Sequence, residues 1–189
     1  MVSGSAASIG QEADAGDAMS CDIAPMKIHR RAPPGHTQHF FTAALEDDRA
    51  SALTEHVDTL RLAFRACSDR YRFTMTAGVI LPDHLHCILA LPAGDTSRSA
   101  RWRLIQGLFE RVIGEGHGSW RRFEEEPLGD EAELERRIDY IHSDPVRHGL
   151  VRSPKKWPFS SLHAYVYHGL RPVYWSGDVV PRYGERFAR

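Results

Sequence analysis

Residues 73–91 read FTMTAGVILPDHLHCILAL, and this stretch decides what the chain can become. Two runs rich in apolar and β-forming residues are separated only by Pro82-Asp83, a pair that favours a turn. Strands joined by so short a link pair with each other as an antiparallel hairpin. Upstream, residues 39–45 (HFFTAAL) read as another strand, and residues 52–70 carry Leu53, Val57, Leu60, Phe64 and Cys67 at helical spacing. Downstream, a loop at 92–97 leads into a second helical pattern over 101–113.

Strand, helix, strand, strand, helix is most of a ferredoxin-like (RRM-like) α+β sandwich, a central antiparallel sheet with helices packed on it. The sequence from there to residue 129 reads as irregular. Asp130 then offers an N-cap, with Glu131 and Glu133 in the first turn. The helix it opens carries Leu134, Ile138 and Ile141 and is expected to stop near Asp144, because Pro145 disfavours helical backbone at the residue before it. This extra C-terminal helix and the tail after it complete the expected fold. Three segments follow: a disordered leader over 1–25, a folded domain over 26–156, and a basic, aromatic tail over 157–189. The leader has four acids, no base and little to bury.

With 189 residues, 42% of them hydrophobic and 26% charged, the composition is that of one domain whose core needs no covalent staples. No apolar run approaches the ~20 residues that span a bilayer. Nor does the N-terminus show a basic region followed by an apolar one. Cys21, Cys67 and Cys87 form neither a disulfide framework nor a zinc motif. A cytoplasmic protein with no membrane partner is expected. Its net charge of −1 conceals a division along the chain. Residues 115–144 hold ten acids against four bases, whereas residues 145–189 hold eight bases against two acids. A basic C-terminal quarter can neutralise phosphates whatever the whole-chain sum.

Two groups of residues can carry chemistry. His84 and His86 stand two apart on a strand, so their imidazoles share a face and can grip one divalent ion. The spacing alone is weak evidence, since eleven histidines in this chain give roughly 0.6 such pairs by chance. Tyr140 and Asp144 stand four apart on the last helix, one turn from each other, where a carboxylate could complete a metal site beside a phenol. Tyrosine near a helix end also has an ordinary packing role, and an aspartate before proline can simply stop a helix. The spacing leaves both readings open.

Four blocks extend the pattern. They are HRRAPPGHTQHFFTAAL (29–45), VILPDHLHCILALP (79–92) followed by RWRLI (101–105), YIHSDPVRHGLV (140–151), and WPFSSLHAYVYHGLRPVYW (157–175). In this order they resemble the REP-associated tyrosine transposases, members of the HUH superfamily of single-strand DNA endonucleases. The resemblance implies that Tyr140 is the nucleophile and that His84 and His86 bind the metal. Asp144, standing where the family usually has asparagine, inherits the third ligand position. One Mg²⁺ or Mn²⁺ ion is implied, which a hard carboxylate oxygen suits. Asp83 is expected to orient a ligating histidine from behind or to serve the hairpin turn. A second departure is Glu124–Glu126, an acidic run after Arg121-Arg122-Phe123.

The implied reaction is cleavage of single-stranded or hairpin DNA through a 5′-phosphotyrosine. That link conserves the bond energy, so no nucleotide cofactor is expected. Arg101, Arg103, Arg121, Arg122, Arg147, His148, Arg152, Lys155 and Lys156 are expected to contact DNA, with Trp157 stacking on bases or packing in the core. The expected assembly is a monomer or a homodimer. Two rival readings remain at this point: a relative that binds hairpins without cutting them, and a metal-dependent hydrolase that uses water in place of Tyr140.

Overall fold

The computed structural model describes residues 31–47, 51–114 and 119–177. The expected leader and the last part of the tail lie outside the described residues. The elements run β1 (His36–Leu45), α1 (Ala52–Glu55), α2 (Val57–Arg70), β2 (Thr74–Ile80), β3 (His84–Pro92), α3 (Arg98–Ile113), β4 (Trp120–Pro127), α4 (Glu131–Arg147) and α5 (Leu162–Tyr167), with a 3₁₀ turn at Pro154–Lys156. The strands form one antiparallel sheet in the order β2-β3-β1-β4. This is the ferredoxin-like α+β arrangement.

Strand alternation divides the core in two. Phe41, Ala43 and Leu45 of β1 and Leu85, Cys87, Leu89 and Leu91 of β3 face α2 and α3, where they meet Leu60, Phe64, Trp102, Ile105 and Phe109. The opposite face presents Phe40, Val79 and Ile88 to Leu134, Ile138 and Ile141 of α4 and to Tyr165 of α5. His84 and His86, even-numbered like Ile88, therefore share the α4 face. The chain after the 3₁₀ turn covers the outer edge of β2: Ile80 N–H donates to the Phe159 carbonyl, and Ser161 N–H donates to the Gly78 carbonyl.

Three sequence expectations need correction. The span expected to be one helix over 52–70 is broken at His56, whose backbone leaves the helical region. The stretch read as irregular before Asp130 contains β4, which pairs along β1. Its sequence WRRFEEEP has only Trp120 and Phe123 as large apolar residues, too few to show an alternation.

The third correction concerns the end of α4, which does not stop at Asp144. Asp130 caps it as expected, accepting from Glu133 N–H at 2.7 Å, while the Glu133 side chain accepts from Gly129 N–H. The helix continues through Pro145 because Ile138, Ile141, Pro145 and Val146 are all buried, and that packing offsets the one hydrogen bond proline cannot make. The stop is Gly149 at φ +70°, with Gly149 N–H on the Val146 carbonyl and Leu150 N–H on the Pro145 carbonyl, a Schellman ending. One further turn of helix thus follows Asp144 and carries Arg147, with His148 as its cap.

Ser161 joins these layers. Its hydroxyl oxygen accepts from Gly78 N–H at 3.0 Å and lies 2.9 Å from His142 Nε2, all three groups being buried. Substituting Ser161→Ala leaves both partners without compensation. The unfolding free energy should fall by about 1–3 kcal/mol, read from urea denaturation followed by circular dichroism.

Candidate active site

The β1–β3 register sets Ala44 opposite His84 and Thr42 opposite His86. Asp144 reaches the same point from α4. His84, His86 and Asp144 are 1%, 2% and 0% exposed. One ligand atom from each lies within 4.8 Å of the others. Asp144 Oδ2 is 3.5 Å from His84 Nε2 and 3.5 Å from His86 Nε2. The far ring nitrogens are also engaged: His84 Nδ1 lies 2.8 Å from Asp83 Oδ1, and His86 Nδ1 lies 2.9 Å from Thr42 Oγ1. In the tautomer where each Nδ1–H donates outward, both Nε2 atoms turn bare lone pairs toward Asp144.

These residues fit a divalent ion. Among the described residues, no donor stands within ordinary hydrogen-bond geometry of either oxygen of the buried Asp144 carboxylate. Neighbouring ligand atoms about 2.1 Å from an octahedral ion lie about 3.0 Å from each other, so the two nitrogen–oxygen separations of 3.5 Å need to close by only about half an ångström around such an ion. The charges agree with this. Burial holds the His86 pKa down at about 3, so its imidazole is neutral and ready to ligate. Burial also opposes charge on His84, but the carboxylates of Asp144 and Asp83 outweigh it and raise its pKa above the ordinary value. Burial opposes charge on Asp144 as well, and the surrounding histidines more than reverse it, holding the carboxyl below the usual range. A proton on His84 and an ion among the three ligands therefore compete for one place.

Tyr140 stands one helical turn before Asp144, half-buried, its ring 5.3 Å from that of His86 and edge-on to Phe40 at 6.1 Å. The Arg147 guanidinium lies over it, 5.0 Å from the ring centre. Burial, followed by the nearby Asp144 charge, pushes the phenol up to about 12, with Arg147 and Arg137 opposing.

Two residues join the site that sequence reasoning had placed elsewhere or missed. His148, grouped in the sequence with DNA-contacting cations, has Nε2 3.6 Å from Asp144 Oδ1 and its ring 4.8 Å from the ring of His84. The 140-144-148 spacing carries that signal once the helix is known to reach residue 147. Thr42 had no signal, because its position opposite His86 depends on a register that only the folded sheet supplies.

The remaining expected DNA contacts divide. Arg101 is a correction: it is 1% exposed, paired with Asp95 at 2.6 Å and flanked by the rings of Tyr71 and Phe73, so it holds the fold and cannot reach a phosphate. Trp157 is half-buried against Phe159, its indole N–H donating to the Ile80 carbonyl. Arg103, Arg121 and Arg122 gather on a shallow cleft between α3 and β4. Arg152, Lys155 and Lys156 are exposed beyond the end of α4. The acidic run is internally balanced: Glu124 pairs with Arg122, Glu125 with His39 and Arg98, and Glu126 with Arg137.

No protein-family model matches the chain. The curated REP-associated tyrosine transposase of Escherichia coli K12 is 39% identical over 140 residues, 74% of this chain and 85% of the relative. The chain belongs to that family. A Haemophilus influenzae protein provisionally given the same family name is 33% identical over 154 residues, 74% of this chain and 88% of its own length. A solved REP-associated tyrosine transposase bound to a REP hairpin matches with a TM-score of 0.75 at 37% identity, covering 87% of this chain and 100% of that one. Among the described residues of this transposase-family chain, no helix is long and apolar enough to cross a membrane.

The pairing of the buried Arg101 with the part-buried Asp95 gives a test of the division among its arginines. Asp95→Ala strands a buried guanidinium and should lower stability by about 3 kcal/mol or more in urea denaturation. The salt dependence of DNA binding should stay unchanged, because Arg101 faces no phosphate in either variant.

Proposed function

We propose that this chain binds hairpin or single-stranded DNA and cuts and rejoins one strand through a 5′-phosphotyrosine on Tyr140, with one divalent ion, Mg²⁺ or Mn²⁺, at His84, His86 and Asp144. The observation that carries this reading is the placement of the Tyr140 ring against His86, one turn from the buried Asp144 carboxylate. The ion, when bound, supplies positive charge to the phosphoryl oxygens and to the leaving 3′-oxygen.

The chain's own residues do the rest. Tyr140 Oη forms a bond to phosphorus as the bond from phosphorus to the 3′-oxygen breaks. The phenol gives up its proton, the departing oxygen takes one up as a 3′-hydroxyl, and no nucleotide is consumed. Attack by a 3′-hydroxyl on the phosphotyrosine reverses the exchange and returns the phenol. With its pKa near 12 the phenol stays neutral in the free chain and is a weak nucleophile until substrate and ion complete the site. Arg147, lying over that ring, is placed to meet a phosphate beside it.

Support for hairpin DNA comes from the solved relative, which holds a REP hairpin. Here Arg152, Lys155 and Lys156 offer phosphate contacts near the end of α4, and Arg103 and Arg121 offer them on the α3–β4 side, where Arg122 is paired with Glu124.

Incubating the chain with a hairpin carrying a single-stranded flank and Mn²⁺, then separating products under denaturing conditions, tests the chemistry. A covalent protein–DNA adduct should form, vanish in Tyr140→Phe, and vanish on chelation, while hairpin affinity stays within about threefold. Cleavage that survives Tyr140→Phe would make water the nucleophile. Tight hairpin binding with no adduct from the unaltered chain would leave a binding protein that does not cut.

Phosphate contact has its own measure. Lys155→Ala with Lys156→Ala should flatten the slope of log affinity against log salt by about 1.5, with little change in the preference among hairpins.

A further inference from the structure

Each candidate ligand has a partner behind it. Asp83 stands behind His84 at 2.8 Å, and Thr42 stands behind His86 at 2.9 Å. For Asp144 the corresponding place is on the side of Oδ1, because Oδ2 faces the two imidazole Nε2 atoms at 3.5 Å. The group on that side is His148, whose Nε2 is 3.6 Å from Oδ1. We infer that His148 is a positioning residue for the metal centre, which fixes the Asp144 carboxylate so that Oδ2 alone is presented to the ion.

The geometry favours this over two alternatives. His148 stands outside the trio of ligand atoms that lie within 4.8 Å of one another, so it is not a fourth ligand. Its side chain is 23% exposed, whereas the carboxylate it faces is fully buried. A phosphate-binding role would turn the ring outward, yet the ring packs 4.8 Å from that of His84. A carboxylate is symmetric about its Cβ–Cγ bond and can offer a metal either oxygen or both. A donor on one oxygen removes that choice, and a separation of 3.6 Å needs only a few tenths of an ångström to become a hydrogen bond. The Schellman ending supplies the means, since His148 N–H is anchored on the Asp144 carbonyl and Gly149 turns the chain away immediately afterwards.

This inference rests on the metal reading, and the test separates the two. Mn²⁺ affinity of the DNA-free chain is read from the electron paramagnetic resonance signal of unbound Mn²⁺. If the unaltered chain binds no Mn²⁺, or if His84→Ala binds it equally well, the metal reading falls and the role of His148 falls with it. Given binding at the site, His148→Ala should raise the Mn²⁺ Kd about tenfold or more. His148→Gln, whose amide N–H can reach the same oxygen, should restore it to within about threefold. In an Asp144→Ala background, His148→Ala should cost no further affinity, because the carboxylate it orients is gone. Equal loss in both backgrounds would overturn the inference in favour of an action on His84 or the ion. Unchanged Kd in His148→Ala would overturn it outright, as would a Gln variant as weak as Ala.

Discussion

A carboxylate with no exposure to water is the constraint on which the rest of this molecule turns. Removing a charged Asp144 from solvent costs several kcal/mol unless opposite charge or donors meet it. Nothing apolar near it can do so. Three imidazoles surround it, those of His84 and His86 on a strand and that of His148 one helical turn away, and of these His84, whose pKa the carboxylates raise, is the one that holds a compensating proton. Such an arrangement is a poor way to stabilise a fold, because apolar residues of similar volume would serve as well. It is a good way to keep one negative charge, two ring nitrogens and a fixed geometry where water cannot equilibrate them.

The site exists because two periodicities meet at one level. A strand repeats every second residue on one face, which brings His84 and His86 together; a helix repeats nearly every fourth, which brings Tyr140, Asp144 and His148 together. The two sets coincide only if α4 lies across β2 and β3 at the proper height, and burial of Ile138 and Ile141 against Val79 and Ile88 sets that height. Ser161, bonded to Gly78 and beside His142, ties the helix to the sheet through the chain that follows. The His84–His86–Asp144 cluster and the position of Tyr140 beside it are therefore properties of the packing as much as of the side chains.

Most of the sheet was legible because β1, β2 and β3 are buried on both faces and read as apolar runs. β4 was not, since an edge strand needs few apolar residues and two acids of this one, Glu125 and Glu126, are met by His39, Arg98 and Arg137 from other elements. The histidine pair and the Tyr140–Asp144 spacing were visible, but spacing could not choose between a site and ordinary packing. Pro145 misled for a specific reason: its local preference was read without the burial of Pro145 and Val146, which decides where α4 ends. His148 was lost to the site with that last turn. Thr42 depended on register and Arg101 on burial, quantities no single segment contains.

Charge shows the same limit most sharply. Counted along the chain, residues 115–144 form an acidic block that would repel DNA. Counted in space, much of the block is paired. Glu124, Glu125 and Glu126 each face a cation, Glu135 and Asp139 share Arg171, and Asp144 lies among histidines. Arg122, expected to meet a phosphate, pairs with one of these acids, while Arg152, Lys155 and Lys156 remain exposed at the end of α4. The potential that a nucleic acid meets is set by charges left over after internal pairing, screened within roughly 10 Å at moderate salt, and not by the sum over a stretch of sequence. In this fold leftover positive charge lies beyond the same helix that carries Tyr140, so on the proposed reading one element serves both the attraction of a phosphate backbone and its delivery to the phenol.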